Sequence, residues 1–199
     1  MIHPAPGKYN VGMNCSNGSR SDEETRRAAY HEAGHATLAW LSGFAVRWAR
    51  LVPAGPLAGG VLYETSIVRM PHEALNNVGI DMRILFVKCA GPAAESIYAG
   101  RLSYPLAVSQ HDIESAHALL RRRGIHDRAA LIDITARALL ATERLLLHGH
   151  VWRAVALLAA ELLTHRSLDR EGIKQILKPC FPEIRGDATT TGARPERFA

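Results

Sequence analysis

The chain has 199 residues, 47% hydrophobic and 22% charged, which suits one globular domain with tails and is too apolar for a disordered chain. Its net charge of +5 is spread along the sequence, with Arg121-Arg122-Arg123 as the one basic run of three. No stretch approaches the roughly 18 apolar residues of a bilayer span, no signal-like apolar block stands in the first 20 positions, and no GxxxxGK[ST] loop surrounds Lys8, Lys88, Lys174 or Lys178. A membrane span, a secretory route and a P-loop motor are therefore not expected. The 3 cysteines, Cys15, Cys89 and Cys180, are odd in number and far apart, so neither a disulfide framework nor a CxxC metal pair is expected, and a reducing, cytoplasmic setting is.

Residues 1–20, with Pro4, Pro6, Gly7, Gly12 and Gly18, read as a loose, disordered tail, and the domain is expected to begin at Ser21 and run to residue 178. Ser21-Asp22-Glu23-Glu24 has the form of a capping box, and a helix follows to about Leu41, ending at Ser42-Gly43. Its apolar stripe (Ala29, Ala33, Ala36, Leu38, Trp40) is mostly small, which permits close packing. Residues 46–52 predict a strand, 53–60 a Pro/Gly turn, and 60–65 a second strand. After Pro71 a helical stretch runs towards Tyr98, and Gly91-Pro92 inside it predicts a kink or break. Further helices are expected over 110–123, 127–147, 150–165 and 168–177, with a cap region at Arg166-Ser167 and a flexible tail from residue 179. The fold class is mainly α with a small β hairpin.

The string His31-Glu32-Ala33-Gly34-His35 lies inside the first helix. Positions i and i+4 of a helix project from one face, so both imidazoles can reach one ion, and neutral imidazole suits zinc. Glu32 stands beside a ligand, where a carboxylate can take a proton from an activated water. HExxH also occurs by chance, but its place in a capped helix with small neighbours favours zinc. A catalytic zinc needs a third protein ligand. Position 41 is Leu, so no third His stands at the short HExxHxxGxxH spacing. Asp112, Glu95, Glu114, His111 and His117 are all candidates by spacing.

The segment Arg27-Ala28-Ala29-Tyr30-His31-Glu32-Ala33-Gly34-His35-Ala36 resembles the start of the peptidase domain of FtsH-type proteases, which are ATP-dependent, membrane-anchored zinc metallopeptidases. The likeness continues in order. Residues 46–61 are similar to that family's strand, turn and strand. Ala90-Gly91-Pro92-Ala93-Ala94-Glu95-Ser96-Ile97-Tyr98-Ala99-Gly100 resembles its GGRAAEEIxxG helix, and Ser109-Gln110-His111-Asp112-Ile113 falls at its SNDI. Leu162-Leu163 and Ser167-Leu168 with Glu171-Gly172-Ile173 match its terminal helices, so residues 22–178 are covered. The resemblance implies a zincin-like metallopeptidase domain in which His31, His35 and Asp112 hold zinc and Glu32 is the general base. Three departures stand out: Pro92 replaces the family's Arg, Leu106-Ala107-Val108 replaces its Thr-Gly-Ala, and His111 precedes Asp112.

Glu95 is read as a carboxylate that orients a ligating ring, with a plain salt-bridge partner and direct ligation as the alternatives. The expected activity is hydrolysis of unfolded or extended polypeptides, read along the strand at 60–65 as a sheet edge. The family's motor and anchor are not found in this sequence, so a separate ATPase or adaptor is the partner the resemblance implies; a homo-oligomer has no support. The competing expectation is a zinc-binding interaction module without catalysis. Nucleic-acid binding through residues 121–123 is the minority reading against a solvated helix end. His148-Gly149-His150 reads as an inter-helix turn rather than a second metal site, and Trp40, Trp48 and Trp152 as packing residues.

Overall fold

A computed structural model describes residues 22–52, 59–69, 71–100 and 110–181. The two tails up to Ser21 and from residue 182, the turn at 53–58 and Leu106-Ala107-Val108 lie outside the described residues. The order is α1 (Asp22–Leu41), β1 (Phe44–Leu51), β2 (Gly59–Ile67), α2 (Ile80–Tyr98), α3 (Gln110–Arg122), α4 (Arg128–Leu146), α5 (Gly149–His165), β3 (Ser167–Asp169) and α6 (Arg170–Cys180). The fold is mainly helical with one small antiparallel sheet, as the patterning predicts.

α1 starts with Asp22, Glu23 and Glu24 against the positive end of its dipole. It ends where Gly43, at φ 81°, turns the chain into β1. α1 packs on α2, α5 and β1. The small stripe serves the α2 contact. A Cβ at Gly34 would lie 2.5 Å from the Ala90 carbonyl oxygen and 2.7 Å from the Ala94 methyl, so only a hydrogen fits between the two backbones. Tyr30 closes the other end of this layer, stacked between Tyr98 at 4.2 Å and Trp152 at 5.5 Å between ring centres. Trp40 and Trp48 are half-buried and carry Arg69 and Arg50 over their rings, which agrees with their reading as packing residues.

The sheet has the order β2-β1-β3, which leaves β2 as an outer strand. β3 pairs Ser167 to Asp169 with Arg50 to Trp48. The sequence predicts only a cap there, because three residues are too few for an alternating pattern to register.

Two further expectations are corrected. Of the kink or break expected at Gly91-Pro92, the break does not occur: α2 is continuous from Ile80 to Tyr98. Pro92 deprives the Lys88 carbonyl of its intrahelical donor, a cost of about 3 kcal/mol in an isolated helix. Burial of Leu85, Val87 and residues 89–94, with α2 packed between α1 and α4, offsets this cost. Likewise α6 runs through Pro179 to Cys180, past the boundary set at 178, with Ile173 and Leu177 buried in the core.

α4 and α5 line the core with Leu131, Leu139, Leu146, Val151, Leu158 and Leu162. Among the described residues no single helix is long and apolar enough to cross a membrane. α4 and α5 pass that test only as a pair bent by 89°; their buried residues line this core, while Ile132, Leu140 and Leu157 are exposed.

Candidate metal centre

His31 and His35 stand one turn apart on the α1 face that meets α2, and Asp112 projects from the first turn of α3. The three elements converge because Gly34 lets α1 and α2 touch, and because Gly91 of α2 faces the rings themselves. A Cβ on Gly91 would lie 2.6 Å from His31 Nε2 and would also overlap His35 Nε2. In the sequence Gly91 reads as a helix breaker; in the fold it is the position that makes room for the imidazoles.

His31 Nε2 lies 3.0 Å from Asp112 Oδ2 and 3.1 Å from His35 Nε2, and His35 Nε2 lies 3.5 Å from the same Asp112 oxygen. A tetrahedral ion with bonds of about 2.0–2.1 Å holds its ligand atoms about 3.3 Å apart, so this triangle has the size zinc requires. The other ring nitrogens fix which atoms carry free lone pairs. His35 Nδ1 donates to the Val87 carbonyl oxygen at 2.7 Å, and His31 Nδ1 donates to Glu95 Oε2 at 3.3 Å. Both partners can only accept, so in the neutral rings each Nε2 presents its lone pair to the centre. Two such nitrogens and a carboxylate oxygen facing one another repel unless a cation lies between them.

The electrostatics express the same demand. Burial alone would lower the His31 pKa, but hydrogen bonds to Asp112 and Glu95 and the nearby Glu32 charge raise it to about 10. Burial pushes Asp112 up, and the hydrogen bonds and charges of the two imidazoles outweigh it, holding the carboxyl well below the usual range. Unless a metal occupies the centre, a proton does. His31, His35 and Asp112 form the one group of this kind among the described residues.

Glu95 does not join that group. It sits behind the His31 ring, ion-paired to Arg27 Nη2 at 2.5 Å. Burial raises its pKa, and His31 and Arg27 together bring it below the ordinary value. Carboxylate–histidine pairs of this kind set the tautomer and orientation of metal-binding rings. Arg27 precedes His31 by four residues on α1, a spacing that could have marked it in the sequence. The Val87 carbonyl, a backbone atom, could not have been marked.

Glu32 is 5% exposed and lines the same cavity. Burial raises its pKa first of all, the two imidazoles oppose this, and Asp112 adds to it. Gly59 of β2 lies against it; a Cβ there would come 2.8 Å from Glu32 Oε1. Of the remaining candidates, His111 is exposed on the cavity rim, Glu114 is exposed and bonded by Gln110, and His117 is half-buried on α3; none joins the three-atom group.

No model of a known protein family matches the chain, and no curated protein matches its sequence. The chemistry of the site rests on its own geometry.

That geometry opens into a cavity of about 700 Å³ between α1, β2, α2 and α3. Tyr63 of β2 and Lys88 of α2 face it with Ser115 of α3. Burial, with the Asp112 charge, pushes the Tyr63 phenol up to about 12, so it is a proton donor at neutral pH. Lys88 Nζ donates to Ser115 Oγ at 2.5 Å. Neither Tyr63 nor Lys88 stands out in the sequence. The basic run lies as expected, exposed at the C-terminal end of α3; Arg122 and Arg123 also border a second cavity beside this one, and Arg123 pairs with Asp81 at 2.5 Å. His148 and His150 sit at the α4–α5 junction with His72, their rings 5.7–6.1 Å apart, and form no three-ligand group.

Proposed function

We propose that this chain is a zinc-dependent metallopeptidase that hydrolyses peptide bonds in unfolded or extended polypeptides, as its resemblance to the FtsH peptidase domain implies. The observation that carries the reading is the triangle of His31 Nε2, His35 Nε2 and Asp112 Oδ2, with the buried Glu32 carboxylate lining the same cavity. The donor set, two imidazoles and one carboxylate with their outer atoms already hydrogen-bonded, is one that zinc accepts while keeping a position open. Bound there, zinc would supply Lewis acidity to water and to a substrate carbonyl.

The chain's own residues supply the remaining parts. Glu32 accepts a proton from the attacking water and passes it to the leaving amine nitrogen; its raised pKa suits a group that must both take and give. Glu95 and the Val87 carbonyl keep the two rings aimed at the centre. Tyr63 is protonated and faces the cavity, where it can donate to a developing oxyanion. β2 is an outer strand whose Gly59, Gly60 and Val61 border the cavity, which suits a substrate held by backbone hydrogen bonds. A cytoplasmic setting and a separate ATPase or adaptor that delivers folded substrates belong to the same proposal.

Zinc-loaded protein should cleave unfolded casein. The Glu32→Gln variant should keep its zinc and lose cleavage by about 10²-fold or more. Undiminished cleavage in that variant would refute the role of Glu32. Tight zinc binding without any cleavage by the unsubstituted chain would favour a non-catalytic interaction module.

A further inference from the structure

A second cavity lies beside the metal cavity. The second, of about 600 Å³, shares Tyr63 and Lys88 with the first and is otherwise bounded by Thr65, Ile84, Leu119, Arg122, Arg123 and Asp81. Three sequence periodicities lay this arrangement out. Along α2, Gly91 faces the imidazoles, Lys88 stands at the junction and Ile84 lies in the second cavity. Along α3 the same progression is Asp112, Ser115, Leu119 and Arg122. On β2, Gly59, Val61, Tyr63 and Thr65 alternate onto one face.

At 1.5 Å per helical residue, Lys88 is displaced about 4.5 Å along α2 from Gly91, and Ile84 about 10.5 Å. An extended peptide advances about 3.3 Å per residue, so the second cavity lies about two or three peptide residues from the metal centre.

The walls of that second cavity are cationic. Lys88, Arg122 and Arg123 face it, against the single carboxylate of Asp81, which Arg123 already engages. Arg122 has no ion pair among the described residues. Lys88 is held by a neutral hydroxyl, and burial, with Arg122 adding to it, lowers its pKa despite Asp112. A helix end carrying basic residues would explain dipole complementation on a solvated face. It would not explain why these cations border a cavity that shares Tyr63 and Lys88 with the metal cavity.

We propose that the second cavity is a carboxylate-recognising subsite of the cleft, in which Lys88 and Arg122 bind an acidic group of the peptide about two or three residues from the metal centre. The carboxylate comes either from an Asp or Glu side chain or from the free C-terminus of the peptide. The location rests on the peptidase reading, but the binding does not require cleavage.

The test uses the zinc-loaded Glu32→Gln chain and fluorescein-labelled ten-residue peptides of Ala and Val, read by fluorescence anisotropy. One Glu is stepped through the positions, each peptide has a Gln isostere, and each is made with a free and an amidated C-terminus. The peptide with Glu at the favoured position should bind about tenfold tighter than its Gln isostere, less so in high salt. If the tenfold follows the free terminus instead, the terminal carboxylate is the ligand. In a double variant that adds Arg122→Gln, an exposed position, the ratio should fall to about one, and adding Lys88→Met should reduce it. No advantage for any carboxylate, or an advantage that survives both substitutions, would overturn the proposal. Selective binding without cleavage by the unsubstituted chain would refute the peptidase reading alone; cleavage without selectivity would refute the subsite alone.

Discussion

Gly91→Ala adds one methyl group and removes no ligand, yet it should empty the metal centre. The new Cβ would lie 2.6 Å from His31 Nε2 and 2.8 Å from His31 Cδ2, and it would overlap His35 Nε2 as well. Ordinary contact begins at about 3.4 Å, so each ring must retreat by close to 1 Å, whereas zinc bonds tolerate only about 0.2 Å. α2 cannot recede as a whole without opening the contact in which Gly34 meets Ala90 and Ala94. Nor can the rings turn freely, because Val87 and Glu95 hold their Nδ1 atoms. Zinc affinity should fall at least 100-fold, beyond the 10–100-fold that loss of an outer hydrogen bond costs. The fold should survive. Crowding costs about 1–3 kcal/mol, and the gain of Ala over Gly in a helix returns about 1 kcal/mol. Competition with a chromophoric zinc chelator reads the affinity, and urea unfolding of the zinc-free chain reads the stability. Wild-type zinc affinity in a folded Gly91→Ala chain would refute the placement of the metal against α2.

Glu95→Gln should lower zinc affinity by about 10–100-fold, while Glu114→Gln, whose carboxylate is exposed on α3, should change it less than twofold; the same chelator titration compares them. Zinc binding near pH 7.5 should release about one proton, displaced from His31, whose pKa of about 10 keeps it protonated there until the metal arrives. Calorimetry in buffers of different ionisation enthalpy measures it, and zero release would count against that pKa. In the zinc-free chain the His31 contribution to stability should be fully present below about pH 6.5 and be lost as pH rises towards 10. The Asp112 and Glu95 contributions should instead be present above about pH 4.5 and fade in acid, so urea midpoints should be highest between these limits. Leu158→Ala, fully buried on α5, should cost about 2–5 kcal/mol in the same unfolding experiment without altering the metal donors.

The parts of this molecule that the sequence discloses are those with a period or a chemistry. HExxH on a helix puts His31 and His35 on one face, and the apolar repeats give the helices to within a few residues. Asp112 emerges only by resemblance, since spacing left it level with Glu95, Glu114, His111 and His117; the structure brings Asp112 to both rings and sets Glu95 behind one of them. The rest depends on tertiary contact. β3 is three residues long and exists only because β1 offers an edge. α2 continues through Pro92, its interior face buried against α1 and α4. Gly91 and Gly59 look like punctuation in sequence, and in the fold they are the places where a ring or a carboxylate needs the space of a side chain. Arg122 and Lys88 sit 34 positions apart with no shared motif, and only the packing of α2 against α3 brings them to one cavity.

Zinc-edge anomalous diffraction from crystals of the zinc-loaded chain tests the central claim most directly. The account predicts one peak per chain, about 2.0–2.2 Å from His31 Nε2, His35 Nε2 and an Asp112 carboxylate oxygen, with Glu95 still on His31 Nδ1. A peak ligated by Glu95, a peak among His72, His148 and His150 instead, or no peak between α1 and α3 would contradict it.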